Sequence, residues 1–328
     1  MGKVAFIFPG QGSQKVGMGR EVCDASDAAK AVFAAADAAL GESLSGLCFE
    51  GPADLLTLTA NTQPAILTTS VALLRALGEV PDVTAGHSLG EYSAHVCAGT
   101  LDFADAVRLV RRRGEFMQDA VPVGVGAMAA ALRIDAAVVE GICEEIDGVV
   151  EPANYNSPGQ VVIAGEKAAV DAAVEAIKAQ KGRALLLPVS APFHSSLMEP
   201  AERRLEGSLR DTPFSKPEIP VYVNVDAVPV TEAEAARDAL LRQVSRPVRW
   251  QQCIERMIAD GVRLFVEIGP GRVLTGLNGR IDKTVGKISV QAPGDLDGAR
   301  AAIPEIRGAS PFPALLFSRS PPKTPPSV

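Results

Sequence analysis

Apolar residues run without interruption from Val4 to Phe8, the pattern of a central strand buried on both faces. Asp24 to Leu40 is Ala-rich and free of Gly and Pro, which predicts a helix. Asn61-Thr62 followed by Pro64 predicts a cap and first turn for a second helix running to about Leu77. Pro81-Asp82-Val83-Thr84-Ala85 is short and partly β-branched, as a brief buried strand would be, and Glu91–Ala98 again reads as helix. Gly99-Thr100-Leu101-Asp102 breaks and recaps the chain for a helix from Phe103 to about Gln118. At about 100° per residue, Phe103, Val107, Val110, Gly114 and Met117 share one stripe of that helix.

From residue 126 to 189 the pattern changes. Gly126–Leu132 reads as strand, Asp135–Ile146 as helix, Val149–Tyr155 and Gln160–Ala164 as strands, Lys167–Gln180 as helix and Arg183–Val189 as strand. The order βαββαβ is ferredoxin-like, with Asn156-Ser157-Pro158-Gly159 turning between the middle strands. Residues 123–192 are therefore expected to form a small unit inserted into a larger α/β one built from 1–122 and 193–303, with the exit Ser190–Ser196 leading back to the main body. The rest alternates again: strand Val221–Val225, helices Glu232–Val244 and Trp250–Asp260, strand Arg263–Ile268, then the tight loop Gly269-Pro270-Gly271. Pro311, Pro313, Pro321, Pro322, Pro325 and Pro326 with few periodic apolar residues mark 304–328 as an expected disordered tail.

Composition narrows the function classes. A chain of 328 residues with 47% hydrophobic content can bury a large core in one or two domains. A net charge of −7 argues against a global nucleic-acid-binding surface. No apolar run approaches a membrane span, and a strand beginning at Val4 leaves no room for a signal peptide, so a cytoplasmic protein is expected. The five cysteines, Cys23, Cys48, Cys97, Cys143 and Cys253, are scattered without C-x-x-C and read as buried thiols in a reducing compartment, not as a disulfide frame or zinc site.

The chemistry centres on Gly86-His87-Ser88-Leu89-Gly90, a G-x-S-x-G between the short strand and the following helix. A sharp strand-to-helix turn needs glycine on both sides, because a Cβ would collide with neighbouring backbone. The turn lifts the Ser88 hydroxyl clear and leaves unpaired N–H groups at the helix start, aimed at a developing oxyanion. A glycine-bordered turn with a solvent serine looks the same in isolation, so the rest of the chain must supply a base. Of the three histidines, His87 adjoins Ser88, where side chains diverge, and reads as packing beneath the turn. His95 lies seven residues on, about 10 Å along the helix axis and too far for a hydrogen bond. His194 remains, in an irregular loop at a domain junction, where clefts form. No carboxylate stands out as a third member, since Glu199 reads as helical and exposed; a dyad oriented by a backbone or amide oxygen is expected. The loop Pro9-Gly10-Gln11-Gly12-Ser13-Gln14 is not a phosphate cradle, because no Gly-Lys-Ser/Thr follows and Lys15 replaces the third glycine; it reads as close backbone approach to a ligand or loop. Arg112 opposes the apolar stripe and reads as solvated, whereas Arg111 and Arg113 flank it, and periodicity does not choose which turns into a cleft.

Seven motifs together resemble the malonyl-CoA:acyl carrier protein transacylase family of fatty acid synthesis, over about residues 3–292. They are Phe8–Gln14, Gly86–Glu91, Arg113-Gly114, Asn154–Gln160, Pro192-Phe193-His194, Gln243 before Pro247–Trp250, and Glu267–Gly271. The resemblance implies an α/β-hydrolase-like large subdomain with a ferredoxin-like small one. It implies Ser88 as the acylated nucleophile, His194 as base and acid, and Gln243 holding the His194 ring through an oxygen. It further implies an oxyanion hole from the N–H groups of Gln11 and Leu89, with Arg113 as a bidentate clamp on the malonyl carboxylate. The resemblance also implies that Asn156, in the matching inter-domain loop, supports the site, and that the bulk of Phe193 beside the base selects malonyl over an α-methyl group.

The expected activity is ping-pong transfer from malonyl-CoA to the phosphopantetheine thiol of an acyl carrier protein, by a monomer with no metal, redox cofactor, nucleic acid or membrane partner. A discrete acyltransferase serving a polyketide synthase in trans keeps every one of these residues. A serine esterase or thioesterase, with water as acceptor, has no use for a clamp at Arg113, and a non-catalytic carrier-binding homologue has no use for intact Ser88, His194 and Gln11.

Overall fold

The structure, a computed structural model, describes residues 1–122, 124–189 and 191–308. Val123 at the expected subdomain boundary, Ser190 at the exit and residues 309–328 of the expected tail lie outside the described residues. Among the described residues ten strands follow in chain order: β1 (Lys3–Phe8), β2 (Val83–Gly86), β3 (Gly126–Leu132), β4 (Val150–Ser157), β5 (Gln160–Glu166), β6 (Arg183–Leu186), β7 (Val221–Val223), β8 (Val228–Val230), β9 (Val262–Ile268) and β10 (Gly286–Val290).

Six of them form one sheet in the order β10-β9-β1-β2-β7-β8, parallel throughout except for the β7–β8 hairpin. Helices cover both faces, so Val4 to Phe8 are all fully buried, as the continuous apolar run requires. The carboxyl ends of β1, β2 and β9 meet at one edge. There, Phe8 pairs with Gly86, and the loops after all three strands converge. A Cβ on Gly269 would lie 2.6 Å from both Pro9 and Ser70, which fixes glycine where the β9 loop passes the β1 loop. Glu267 closes that loop by accepting the N–H groups of Leu274 (3.0 Å) and Thr275 (2.7 Å) at the start of the helix Val273–Ile281.

The other four strands form an antiparallel sheet, β4-β5-β3-β6, in which the segment's first strand, β3, lies between the third and the fourth, and the second, β4, forms the edge beside the third. The helices Ala136–Glu145 and Lys167–Ala179 pack on it through a separate core that includes Ile142, Ile163, Val170 and Ile177. Backbone hydrogen bonds tie this sheet to the main body, Tyr155 N–H to Val248 O at 2.8 Å and Val248 N–H to Ala153 O at 2.9 Å.

Several expected boundaries move. The helix expected over Asp24–Leu40 is two, Arg20–Ala25 and Asp27–Leu40. Ser26 between them is extended (φ −145°, ψ 118°), with its side chain accepting from Ala29 N–H, because a serine oxygen competes for backbone donors. The second helix is Thr59–Leu77, with Pro64 inside it. Asn61 and Thr62 do not cap it: their side chains donate backwards to the carbonyls of Leu55 (2.9 Å) and Leu56 (2.6 Å). The expected strand Arg183–Val189 stops at Leu186 and Val221–Val225 at Val223, while the short β8, β10 and the helices Leu44–Glu50, Ala53–Thr57 and Val273–Ile281 carried no readable period. Residues 304–308 do not belong to a structureless tail. The helix Leu296–Arg307 runs through Pro304, held by buried Ile303 and by the Arg307–Asp82 ion pair at 3.1 Å. Four of the five cysteines are buried and Cys23 is half-buried; all are free thiols. No helix among the described residues is long and apolar enough to cross a membrane.

Candidate active site

Ser88 occupies the turn between β2 and the helix Gly90–Cys97 with φ 51°. That left-handed value costs a residue with a side chain about 1–2 kcal/mol, so the surroundings must hold it. They do so at both ends. Its N–H donates to Asn224 Oδ1 at 2.7 Å, and its carbonyl accepts from Gln243 Nε2 at 3.1 Å. The flanking glycines are compulsory: a Cβ at Gly86 would lie 1.9 Å from the Gly90 carbonyl carbon, and one at Gly90 2.0 Å from Phe8 O.

The hydrogen bonds around the hydroxyl fix the direction of every proton. Arg113 can only donate, so at 3.2 Å from its Nη2 the Ser88 Oγ accepts. The Oγ–H is then free to donate to His194 Nε2, 2.7 Å away, which requires a lone pair there. The other imidazole nitrogen, Nδ1, must carry the hydrogen, and it donates to the backbone carbonyl of Gln243 at 2.8 Å. His194 is 4% exposed and also has a left-handed backbone (φ 61°). Burial first, and the nearby Arg113 charge second, push its imidazole down to about 3, so the ring stands neutral at physiological pH.

Arg113 is 2% exposed, and its pKa is lowered by that burial. Its guanidinium donates to Gln63 Oε1 (2.7 Å), Gln243 Oε1 (3.0 Å) and Ser88 Oγ, all uncharged groups, and faces the Tyr92 ring at 5.5 Å. The choice that periodicity left open is thus resolved in space. Arg111 turns outward to Glu42 and Asn61, and Arg112 is exposed.

Leu89, buried, precedes the helix Gly90–Cys97, and Gln11 lies exposed in the loop after β1 with its side chain donating to Thr59 Oγ1 at 3.0 Å. Among the described residues no hydrogen bond uses the backbone N–H of either. Phe193 is buried beside His194. The Asn156 side chain is directed at His87 instead of the Ser88–His194 pair: its Oδ1 accepts from His87 Nε2 at 2.8 Å, and the His87 ring lies 5.7 Å from that of Trp250. His95 is fully buried, and neither of its ring nitrogens has a hydrogen-bond partner among the described residues.

Three residues of this site were not singled out from the sequence. Gln63 holds Arg113; Asn224 and Glu91 stand behind the turn. Asn224 comes directly after β7, and polar groups at the carboxyl ends of parallel strands are where such sites are built. Gln63 sits inside a helix and carried no such signal, and Glu91 closed the motif Gly86–Glu91 without being given a role of its own.

A serine at a strand–helix turn, bonded to a neutral histidine and flanked by a buried guanidinium, is the equipment for acyl transfer through a serine ester. The acyl transferase domain family matches residues 5–288; the chain belongs to that family and is an acyltransferase. It is similar to the malonyl CoA-acyl carrier protein transacylase of Escherichia coli K12, 51% identical over 306 residues, covering 91% of this chain and 99% of that one. Among solved structures it resembles an acyl carrier protein S-malonyltransferase from Vibrio cholerae, 47% identical with TM-score 0.89 over 90% of this chain and 99% of that one. It also resembles a malonyl-transacylase in complex with its type II PKS acyl-carrier protein, 46% identical with TM-score 0.89 over 92% of this chain and 99% of that one.

Proposed function

We propose that this protein transfers the malonyl group of malonyl-CoA to the phosphopantetheine thiol of an acyl carrier protein, through a malonyl ester on Ser88. The observation that carries this reading is the buried Arg113 guanidinium, beside the Ser88 hydroxyl and hydrogen-bonded to neutral groups. A buried guanidinium whose hydrogen bonds all go to neutral groups is costly, and a carboxylate-bearing acyl group supplies a directly paired anion where the ester forms.

In the first half-reaction the malonyl carboxylate pairs with Arg113 in two parallel hydrogen bonds, drawing it away from Ser88 Oγ. His194 Nε2 takes the Oγ proton as Oγ attacks the thioester carbonyl. The oxyanion settles on the N–H groups of Leu89 and Gln11, and the Gln243 carbonyl supports the imidazolium through Nδ1–H. Neutralising Arg113 also removes one of the causes that hold His194 down, so the base strengthens when a carboxylate-bearing substrate arrives. Collapse breaks the C–S bond, and the CoA sulfur leaves with the proton from His194. In the second half, the carrier thiol gives its proton to His194 and its sulfur attacks the Ser88 ester; the C–O bond then breaks and Oγ takes the proton back from His194. Phe193 narrows the acyl pocket beside the base. Asn156 acts at one remove, by steadying His87 under the turn.

The same reading takes 1–122 and 193–303 as an α/β-hydrolase-like large subdomain and 123–192 as a ferredoxin-like small one, in a cytoplasmic monomer working without a bound cofactor or metal. The strand order of the second sheet and its separate core support that division. A trans-acting polyketide acyltransferase would use the same site, a reading favoured by the likeness to the PKS complex. The test is intact-mass spectrometry after incubation with malonyl-CoA, then with phosphopantetheinylated carriers from fatty acid and polyketide systems. One malonyl adduct on wild-type protein, absent in Ser88→Ala and discharged by a carrier, is expected. An adduct on a cysteine, or discharge to water as fast as to carrier, overturns the proposal.

A further inference from the structure

Behind the turn, two amide side chains and one carboxyl converge out of reach of bulk solvent. Asn224, Gln243 and Glu91 are each 0% exposed. Asn224 brackets the turn: besides accepting from Ser88 N–H, its Nδ2 donates to Gly86 O at 2.7 Å. Its own backbone N–H donates to Glu91 Oε2 at 2.8 Å. The same Oε2 accepts from Gln243 Nε2, also at 2.8 Å, and that Nε2 reaches the Ser88 carbonyl as well. One carboxyl oxygen therefore fixes both residues that hold the Ser88 peptide units, and the backbone of one of them carries the carbonyl that orients His194.

We propose that Glu91 and Asn224 are positioning residues for acyl transfer: they hold Ser88 in its left-handed turn and keep the Gln243 carbonyl on His194. Asn224 has a further effect. By occupying the Ser88 N–H it withdraws that donor from the oxyanion site and leaves the Leu89 N–H as the one the turn presents. Without the Glu91 oxygen, Asn224 and Gln243 lose their common anchor, the turn relaxes towards ordinary φ, and Oγ drifts from the imidazole. The effect falls on the bond-making step and leaves capture of malonyl-CoA intact, because the Arg113 guanidinium keeps its bond to Gln63. The inference rests on malonyl-Ser88 as the intermediate.

The test compares rapid-quench malonylation of Ser88, read by intact mass across malonyl-CoA concentrations, in wild type, Glu91→Ala, Glu91→Gln, Asn224→Ala and Asn224→Asp, with thermal melts alongside. Glutamine offers an amide oxygen where Oε2 stands, and aspartate keeps the acceptor for Ser88 N–H while losing the donor to Gly86. The alanine variants are expected to lower the saturating acylation rate about 10- to 100-fold with half-saturation within about threefold of wild type. Glu91→Gln should stay within about threefold of wild type, and Asn224→Asp should fall between. Unchanged rates, a loss carried by half-saturation, or equal losses for Glu91→Gln and Glu91→Ala would overturn the proposal. Should the alanine variants not fold, the two volume-preserving variants decide, and a wild-type rate in Asn224→Asp or a tenfold loss in Glu91→Gln counts against it. Wild-type protein that takes no malonyl group at Ser88 would instead remove the reading beneath it.

Discussion

At the scale of single residues, charge placement separates a malonyl transferase from a general serine acyl enzyme. Arg113→Ala removes the cation that touches Ser88 Oγ, and a malonyl carboxylate entering that buried site would then be unpaired. Losing one partner of a buried pair costs about 3–5 kcal/mol, so malonyl transfer should fall at least ~10²-fold. Acylation by acetyl-CoA should be spared or improved, and Arg113→Lys should fall between, since it keeps charge but not the planar fork. Parallel rate measurements with both donors check this; equal losses would mean that Arg113 serves the fold. His95 gives a contrasting case. It is fully buried, neither ring nitrogen meets a polar group among the described residues, and burial pushes its imidazole down to about 3. An unfolded histidine titrates near ~6.5, so below that pH the unfolded chain binds a proton that the folded one refuses, and stability is lost as pH falls from about 6.5 towards 3. His95→Leu should flatten part of that loss and leave the acylation rate unchanged, as urea titrations at neutral and mildly acidic pH would show; an unaltered slope would refute it. Ser88 and His194 were legible because the serine sits in a motif and only three histidines compete for the base. Asn224 and Gln63 were not, since each is one amide whose partner lies 136 or 50 residues away, and no local pattern encodes that contact.

At the scale of elements, the helix Phe103–Asp119 carries Arg113 to the site, and its start is set by Asp102, whose Oδ1 accepts from Ala104 N–H (2.9 Å) and Asp105 N–H (3.4 Å). Removing such a cap costs about 0.5–2 kcal/mol. Asp102→Ala should therefore lower the unfolding free energy from urea titration by that amount while leaving kcat/KM near wild type, because Arg113 is anchored by Gln63, Gln243 and Ser88 and not by the helix start. A fall in kcat/KM larger than the loss of folded protein would show that the cap sets the register of Arg113. This helix was readable because cap and stripe agree. Where local and tertiary signals conflict, reading failed: Ser26 interrupts an Ala-rich run by capping the next helix, and Pro304 sits inside a helix because Ile303 is buried against the core. The three-residue β8 and the seven-residue helix Leu44–Glu50 span too few alternations or turns to show a period, whereas strands as short as β1 were readable from an unbroken apolar run.

At the scale of the whole molecule, the site lies where two sheets meet, and the chain's last described helix locks the opposite end of the main sheet. Gly2 N–H donates to Ile306 O at 2.9 Å, next to the start of β1. Asp82, just before β2, accepts Val4 N–H at 2.7 Å through the same Oδ2 that pairs with Arg307, and this ion pair is largely shielded, with 11% and 17% of the two side chains exposed. Residues 304–308 thus tie together the amino ends of the two strands whose carboxyl ends present Gln11 and Ser88. Two truncations separate this lock from the proline-rich segment after Gly308. Ending the chain at Gly308 keeps every one of these contacts, so melting temperature and malonyl transfer should match the full chain. Ending it after Ile303 removes the Arg307 cation and the Ile306 carbonyl together. A shielded carboxylate that loses a charged partner costs about 1.5–3 kcal/mol, so a urea midpoint lower by at least that equivalent is expected, with near-normal transfer by the fraction still folded. If the two truncations melt alike, the helix end contributes nothing to the sheet. If the longer one already loses stability, residues beyond 308 have a structural role that their proline-rich composition does not suggest.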